Sequence, residues 1–246
     1  MRPILIQGAM DIEVHLLIHE LDAVLDQTIG GFDFYKGFLR GYPVVISKTN
    51  IGMSNASCAT SISILTYNPA LIINQGTAGA HAKNAHVSDL VIGLSSANIC
   101  SFQTSAMDTG TDFKLWNHTD FRDCDDNIHG GSELQCDEIL FKIFQNTPYS
   151  KGEIHTGVIG SGDVWNKEIE FIGFLNSTLH TLCEDMETVS VYNVANRFGV
   201  PVIGVRVISN NEIIKESYDK FSANNCQEFV LSSLSKIVTE LSKSVF

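Results

Sequence analysis

Basic residues are scarce in this sequence, and their scarcity excludes several classes of partner. The 246 residues include 16 lysines and arginines against 28 aspartates and glutamates, which gives a formal net charge of −12. No basic patch stands out that could neutralise a phosphate backbone, and an anionic membrane surface is disfavoured for the same reason. We therefore expect neither nucleic acid nor a membrane as a partner.

Paired cysteines and long apolar runs are also missing. The sequence shows no CxxC motif and no paired spacing among its six cysteines, which are Cys58, Cys100, Cys124, Cys136, Cys183 and Cys226. This pattern is typical of free thiols in a reducing compartment. No stretch is apolar enough for a signal core or long enough for a membrane span, which needs about 20 residues. We therefore expect a cytoplasmic protein.

Alternating strand and helix patterns take up most of the chain. Hydrophobic residues make up 44% of it, enough for a sizeable core in a globular domain. Short apolar runs at Pro3–Gly8, Leu71–Asn74 and Val202–Ile208 predict buried strands. The alternation predicts an α/β fold: a three-layer sandwich with a twisted, mixed, mainly parallel sheet and helices on both faces. No linker or internal repeat divides the chain, so we predict a single domain over residues 1–246.

Several elements can be predicted in more detail. Asp11 is a candidate N-cap for the first helix, whose apolar face would consist of Val14, Leu17, Ile18, Leu21 and Leu25. A hairpin is expected from Phe32–Leu39 and Val44–Ser47, with its turn at Gly41-Tyr42-Pro43. A helix rich in small residues should cover Met53–Leu65. The last helix carries apolar residues at helical spacing, at Val230, Leu234, Ile237 and Leu241.

The segment from about residue 95 to 132 departs from this alternation. It is polar, rich in aspartate and without helix or strand period, which favours a long variable loop or a lid over a site. Asp123, Asp125 and Asn127 briefly resemble a calcium loop. Ile128 stands where that loop requires glycine, and Leu134 stands where it requires glutamate. We therefore expect no metal site here.

The stretch Leu182–Thr188 lies between a strand-like segment and a helical pattern. It places acids on both sides of Met186. Glu187 could grip two ribose hydroxyls, with Met186 beneath the sugar ring. Taken alone, the stretch fits better a helix start at which acids are favoured by the helix dipole.

Other polar or glycine-rich segments also follow predicted strands, where open α/β sheets bind ligands. These segments are Gly8–Glu13, Asn74–Gly79, Ser161–Trp165 and Val205–Asn210. Within the last of them Arg206 interrupts an apolar strand. A buried unpaired charge is costly, so Arg206 predicts a buried partner.

Five motifs in these segments resemble those of the 5'-methylthioadenosine/S-adenosylhomocysteine nucleosidases of the purine nucleoside phosphorylase superfamily. They are Gly8-Ala9-Met10 with Glu13, Asn74 with Gly76-Thr77-Ala78-Gly79, Ser161-Gly162-Asp163, Asp185-Met186-Glu187, and Val205-Arg206-Val207-Ile208-Ser209-Asn210. No single motif is specific, but all five occur in order at family-like spacing. The resemblance extends from the first strand to the last helix.

The resemblance implies a hydrolase of the purine–ribose bond that needs no metal or organic cofactor and works as a homodimer. Glu13 would be the general base on the attacking water, with Thr77 and Arg206 holding that water. Glu187 and Met186 would bind the sugar, and Trp165 would stack on the base. The remaining substrate contacts would be Met10, Ile51, Gly79, Asn166, Asp185 and Ser209, whereas Asp163 would be structural.

The chain departs from the family pattern at Asn210, where the family has an aspartate that protonates purine N7. Asparagine cannot supply a proton, although its amide both donates and accepts hydrogen bonds. Three interpretations follow: a slow adenine nucleosidase, an enzyme for 6-oxopurine nucleosides, or a protein that binds nucleosides without cleaving them. Asp185 also replaces a family glutamate.

Phosphorolysis is the alternative to hydrolysis. The phosphorolytic relatives keep a glycine-rich phosphate loop with an arginine, and no such motif surrounds Arg2 or Arg40. The sequence therefore favours hydrolysis of a small-molecule purine nucleoside.

Overall fold

A computed structural model describes residues 1–104, 119–121 and 134–243 of the chain. The strands are β1 (Ile4–Gly8), β2 (Val24–Ile29), β3 (Phe32–Leu39), β4 (Tyr42–Lys48), β5 (Leu71–Ala80), β6 (Leu90–Asn98), β7 (Phe102–Thr104), β8 (Thr119–Phe121), β9 (Leu134–Gln135), β10 (Ile154–Ser161), β11 (Thr181–Asp185) and β12 (Val202–Asn210). The helices are α1 (Asp11–Glu20), α2 (Met53–Tyr67), α3 (Glu138–Gln145), α4 (Ile169–Leu179), α5 (Thr188–Arg197) and α6 (Ser222–Lys243).

The main sheet is mixed, as the sequence predicts. Its strand order is β11-β10-β6-β12-β5-β1-β4-β3-β2, with β9 alongside β6. Strands β1, β4 and β5 pair in parallel, as do β6, β10 and β11, and β12 runs parallel to β5. The pairs β12–β6, β2–β3 and β3–β4 are antiparallel.

One half of this sheet curls back on itself. Strand β11 pairs antiparallel with β5, with Cys183 opposite Ala80 and Glu184 opposite Gly79. Strands β5, β12, β6, β10 and β11 therefore form a closed ring, and β1 to β4 extend from it as an open wing. The sequence predicts the individual strands but not this closure.

Helices cover both faces of the sheet, because side chains alternate in direction along each strand. In β1, Ile4 and Ile6 pack in a core with α1, α3 and α6. Leu5 points the other way, into a core with α2 and α5. The predicted three-layer arrangement is confirmed.

Two details at the first helix are wrong in the sequence prediction. The residue before the helix is Met10, and Asp11 is the first helical residue rather than its cap. The Glu13 carboxylate instead turns back to accept from the backbone N–H of Met10, as an acid at the third helical position can. Helix α1 ends at Glu20, so Leu25 lies in β2, where 55% of it is exposed.

The predicted hairpin is confirmed, but its turn is earlier than predicted. Arg40 and Gly41 both have positive φ, 49° and 82°, which suits a two-residue turn between twisted strands. Tyr42 and Pro43 already belong to β4.

The predicted lid region is described only in part. Ser95 to Asn98 continue β6, and Phe102–Thr104 pairs with Thr119–Phe121. The calcium-like positions Asp123, Asp125 and Asn127 lie outside the described residues. Within the described ranges, no helix is long and apolar enough to cross a membrane.

Candidate active site

A cleft opens where the ring of strands ends. It is lined by eleven of the thirteen residues proposed from the sequence, namely Met10, Glu13, Ile51, Thr77, Gly79, Trp165, Asp185, Met186, Glu187, Ser209 and Asn210. Arg206 and Asn166 do not line it. Glu184 and Tyr218 line it as well, and the sequence prediction assigned them no role.

Glu13 is buried in the cleft wall, with 3% of its surface exposed, and is fully hydrogen-bonded. Its Oε2 accepts from the backbone N–H groups of Ala9 at 2.9 Å and Met10 at 3.1 Å. Its Oε1 accepts from the backbone N–H of Thr77 at 2.8 Å and from the Thr77 hydroxyl at 3.0 Å. A carboxylate offers about four acceptor positions. Three of its four donors are therefore fixed backbone groups, and the fourth is a hydroxyl that can rotate.

Gly76 leaves the space that Glu13 occupies. A Cβ on Gly76 would lie 2.7 Å from Glu13 Oε1, which is closer than real Cβ contacts come. Gly76 is thus required because a side chain there would displace the Glu13 carboxylate, and not because the backbone needs a special φ angle.

Glu187 also lines the cleft, just before α5, and is 8% exposed. Its Oε1 accepts from the backbone N–H of Gly52 at 2.8 Å. Burial, together with the negative charges of Asp185 and Glu13, raises the pKa of Glu187 to about 8, whereas Arg206 and the hydrogen bond from Gly52 act to lower it.

Arg206 is buried behind the cleft in a cage of acceptors. Its Nε lies 2.7 Å from Asp185 Oδ2, and its Nη1 donates to the backbone carbonyls of Asn74 at 3.0 Å and Val205 at 2.9 Å. The buried partner predicted for this arginine is confirmed. The three nearby carboxylates, Asp185 first, raise the pKa of Arg206 against the effect of burial.

Asp185 faces inward more than into the cleft. Its Oδ1 accepts from the Ser161 hydroxyl at 2.5 Å and from the backbone N–H groups of Glu187 and Thr188 at 3.2 Å. Its Oδ2 pairs with Arg206. These contacts anchor the start of α5 and leave Asp185 little capacity to hold a ligand.

Asn210 ends β12 at the cleft wall. Its Oδ1 lies 3.1 Å from the hydroxyl of Ser209, and its Nδ2 lies 3.4 Å from Glu212 Oε1. The amide therefore keeps an N–H group for a ligand.

Two aromatic rings stand at the cleft. Trp165 and Tyr218 lie with ring centroids 5.5 Å apart and planes tilted by 60°, and Trp165 is 52% exposed. An exposed indole beside a tyrosine offers a flat surface for a heterocyclic base.

Asn166 and Asp163 hold other parts of the site. Asn166 donates to Glu184 from both its backbone N–H and its side-chain amide. Asp163 accepts from the backbone N–H of Met53 at the start of α2, which is consistent with the structural role predicted for it. No cluster of three or more His, Cys, Asp or Glu within the described ranges is arranged to hold a metal ion.

The chain is similar to proteins of known activity over nearly its whole length. The sequence pattern of the phosphorylase superfamily matches residues 3–242. A 5'-methylthioadenosine/S-adenosylhomocysteine nucleosidase of Halalkalibacterium halodurans is 31% identical over 218 residues, which cover 87% of this chain and 88% of the relative.

Solved structures share the fold. One is a Helicobacter pylori nucleosidase of the same kind, an aspartate-to-asparagine variant with 5'-methylthioadenosine in its active site; its TM-score is 0.80 at 23% identity, covering 96% of this chain and 99% of that one. Another is the futalosine hydrolase of Helicobacter pylori, with a TM-score of 0.76 at 23% identity and coverage of 96% and 98%.

Proposed function

The chain belongs to the 5'-methylthioadenosine/S-adenosylhomocysteine nucleosidases of the phosphorylase superfamily, and from this premise we propose how its cleft hydrolyses the N-ribosyl bond of a purine nucleoside. The observation that supports this proposal is the buried Glu13 carboxylate, which three backbone donors fix in the wall of a cleft that Glu187 also lines. Cleavage of an N-ribosyl bond develops positive charge on the sugar, and carboxylates near that charge lower the barrier.

Glu13 is the general base in this proposal. The Thr77 hydroxyl is its one rotatable donor, so a water can take that place while the hydroxyl turns to the water. Glu13 then removes a proton as the water adds to the sugar carbon, while the bond from that carbon to the purine nitrogen breaks and the base leaves with the bonding electron pair. Arg206 acts from behind the wall. It fixes Asp185 and Asn74 rather than holding the water.

Glu187 binds the ribose. Its second carboxylate oxygen is free of protein donors among the described residues, since Gly52 occupies the first. Met186, Met10 and Ile51 add apolar surface to the same cleft, and Trp165 with Tyr218 stacks on the base. The substrates to test first are those in the names of the relatives, 5'-methylthioadenosine and S-adenosylhomocysteine.

Hydrolysis rather than phosphorolysis follows from the charges of the cleft. No lysine or arginine is among its lining residues in the described part of the chain. A phosphate dianion would therefore meet the Glu13 carboxylate without a cation to bind it. We propose water as the nucleophile.

The assay is release of free base from 5'-methylthioadenosine, S-adenosylhomocysteine, adenosine, inosine and guanosine, each with and without phosphate. Base release that does not depend on phosphate supports the proposal. Release only in the presence of phosphate would replace it with phosphorolysis.

The candidate of another class is a nucleoside-binding protein without turnover. Asn210 favours it, because an amide cannot protonate the leaving base, and a positioned acid commonly contributes about 10²–10⁴-fold. If no base appears but nucleosides raise the melting temperature, this candidate is correct. Asn210→Asp then tests whether the missing acid is the cause, since restored release of adenine would show that the rest of the machinery is intact.

We further propose that the protein acts in the cytoplasm as a homodimer built from one domain per chain. The free thiols of Cys183 and Cys226, both buried, are consistent with a reducing compartment. Light scattering on the purified protein measures the oligomeric state.

A further inference from the structure

Glu184 is a buried carboxylate at the cleft to which the catalytic proposal gives no task. It is 5% exposed and lines the cleft. A buried charged group is costly unless it is well partnered or needed for a ligand. The neighbours of Glu184 indicate that it is well partnered and that it is placed to bind a ligand.

The ring closure places Glu184 beside Asn210. Glu184 pairs with Gly79 across the β11–β5 contact, and Asn210 pairs with Gly79 from β12. A Cβ on Gly79 would lie 3.5 Å from Asn210 Nδ2 and 3.8 Å from Glu184 Cγ. The two side chains therefore face the same part of the cleft, the part that a base would enter next to Trp165.

A network behind the wall fixes the carboxylate. Its Oε2 lies 3.0 Å from His81 Nε2 and accepts from the Asn166 amide at 2.5 Å, and its Oε1 accepts from the Asn166 backbone N–H at 2.7 Å. His81 Nδ1 is held in turn by the Thr181 hydroxyl at 2.8 Å. Three of about four acceptor positions are therefore filled by the donors that the structure describes, and the open position is on Oε1.

The edges of the purines differ in what they offer to such a group. A 6-oxopurine carries a hydrogen at N1, which donates, and an oxygen at C6, which accepts. Adenine carries a lone pair at N1 and an amino group at C6. An ionised carboxylate only accepts hydrogen bonds, so it attracts the N1–H of a 6-oxopurine and repels the N1 lone pair of adenine.

Asn210 and Asn166 add to this discrimination. Asn210 Nδ2 donates one N–H to Glu212 Oε1, which orients the amide and leaves its second N–H to meet an oxygen at C6. The Asn166 backbone N–H, which could otherwise donate to adenine N1, is already taken by Glu184, and so is one of the two N–H groups of its side-chain amide.

We propose that Glu184 selects the base, and that the cleft takes 6-oxopurine nucleosides in preference to adenine nucleosides. Glu184 Oε1 accepts from N1–H, and the Asn210 amide donates to O6. The proposal rests on the proposed function for the reaction, but base preference can be measured without turnover.

The test compares 5'-methylthioinosine with 5'-methylthioadenosine, which share the sugar and differ at the purine edge. We expect the wild-type protein to prefer the inosine compound in kcat/KM by at least about 10-fold, since a hydrogen bond to a charged group is worth about 1.5–3 kcal/mol. Glu184→Gln presents an amide that can donate to adenine N1. This substitution should reduce the preference by at least about 10-fold, mainly by lowering kcat/KM for the inosine compound. Glu228→Gln makes the same chemical change on the exposed face of α6, where the carboxylate pairs with Lys151. This control should leave kcat/KM unchanged for both compounds.

Two kinetic results would overturn the proposal. One is a wild-type kcat/KM for the adenine compound that equals or exceeds that for the inosine compound. The other is an equal loss of kcat/KM for both substrates in Glu184→Gln, which would make Glu184 structural. If neither compound releases base, the hydrolase mechanism fails, and calorimetric binding of hypoxanthine against adenine to the wild-type protein still decides base preference. Equal or tighter binding of adenine then overturns it.

Discussion

Glu13 shows how much of a residue's role depends on its surroundings. On the first turn of a helix, a glutamate is ordinarily a surface acid favoured by the helix dipole. Here the loop before α1 and the strand β5 supply N–H groups from two directions, from Ala9 and Met10 and from Thr77. The motif match in the sequence predicts the residue, and the converging donors account for its burial.

Glu13→Gln should lower kcat by at least about 100-fold while leaving the fold intact, because an amide cannot accept the proton of the attacking water. Steady-state base release measures the change, and circular dichroism checks the fold. Glu20→Gln, an exposed acid on the same helix, is the matched control. Unchanged turnover in Glu13→Gln would remove this residue from the mechanism.

Glu187 should make nucleoside binding depend on pH. Its pKa of about 8 in the empty cleft means that the carboxyl is neutral below pH 8 and ionised above it. If the ionised form accepts both ribose hydroxyls, affinity rises with pH, by about tenfold per unit below the pKa, and levels off above it.

Calorimetry with a C-nucleoside analogue, which cannot be cleaved, measures this dependence between pH 6 and about 9.5. Glu187→Gln, which carries no titrating group, should give a flat profile. A wild-type affinity that does not change with pH, or that falls as the pH rises, would contradict the ionised form as the binding form.

At the scale of elements, β5 both shapes the sheet and makes room for catalysis. Gly76→Ala should reduce activity strongly without unfolding the chain, because its Cβ would displace the Glu13 carboxylate, 2.7 Å away. We expect a loss of at least about 10-fold in kcat. Gly173→Ala, within α4 with no atom within 4 Å of its Cβ, should keep full activity and gain slightly in helix stability. If Gly76→Ala were as active as the wild type, the position of Glu13 would not depend on this glycine.

The elements themselves were largely predictable from the sequence, and their pairing was not. The apolar runs of β1 and β12 and the helical spacing of α6 are local patterns. Strand β2 was missed because its residues are mostly exposed, so Leu25 counted as part of a helix face. The β11–β5 contact joins segments far apart in the chain, and no local pattern encodes it. Glu184 was missed as a site residue for this reason, although it stands next to the predicted Asp185.

In the whole molecule, a nucleoside in the cleft contacts residues from distant parts of the chain, so only the folded protein can bind it. A nucleoside analogue at 100 times its Kd should therefore stabilise the fold by about 2.7 kcal/mol. For a chain of this size, that corresponds to a rise in melting temperature of roughly 5–10 °C. Differential scanning calorimetry measures it, and ribose alone, which lacks the base, is the control ligand. No rise with any purine nucleoside would contradict the assignment of the cleft as the nucleoside site.

The ring closure also bears on how the chain acquires its activity. The meander β2-β3-β4 joins neighbours in sequence, whereas the ring pairs Gly79 with Glu184 and Gly76 with Arg206. Contacts between distant residues form at a greater cost in loop-closure entropy and are slower to form. We therefore expect the walls that carry Glu13, Glu184 and Asn210 to meet late in folding. In a chain emerging from the ribosome, we expect the wing of β1 to β4 to form before the nucleoside site is complete.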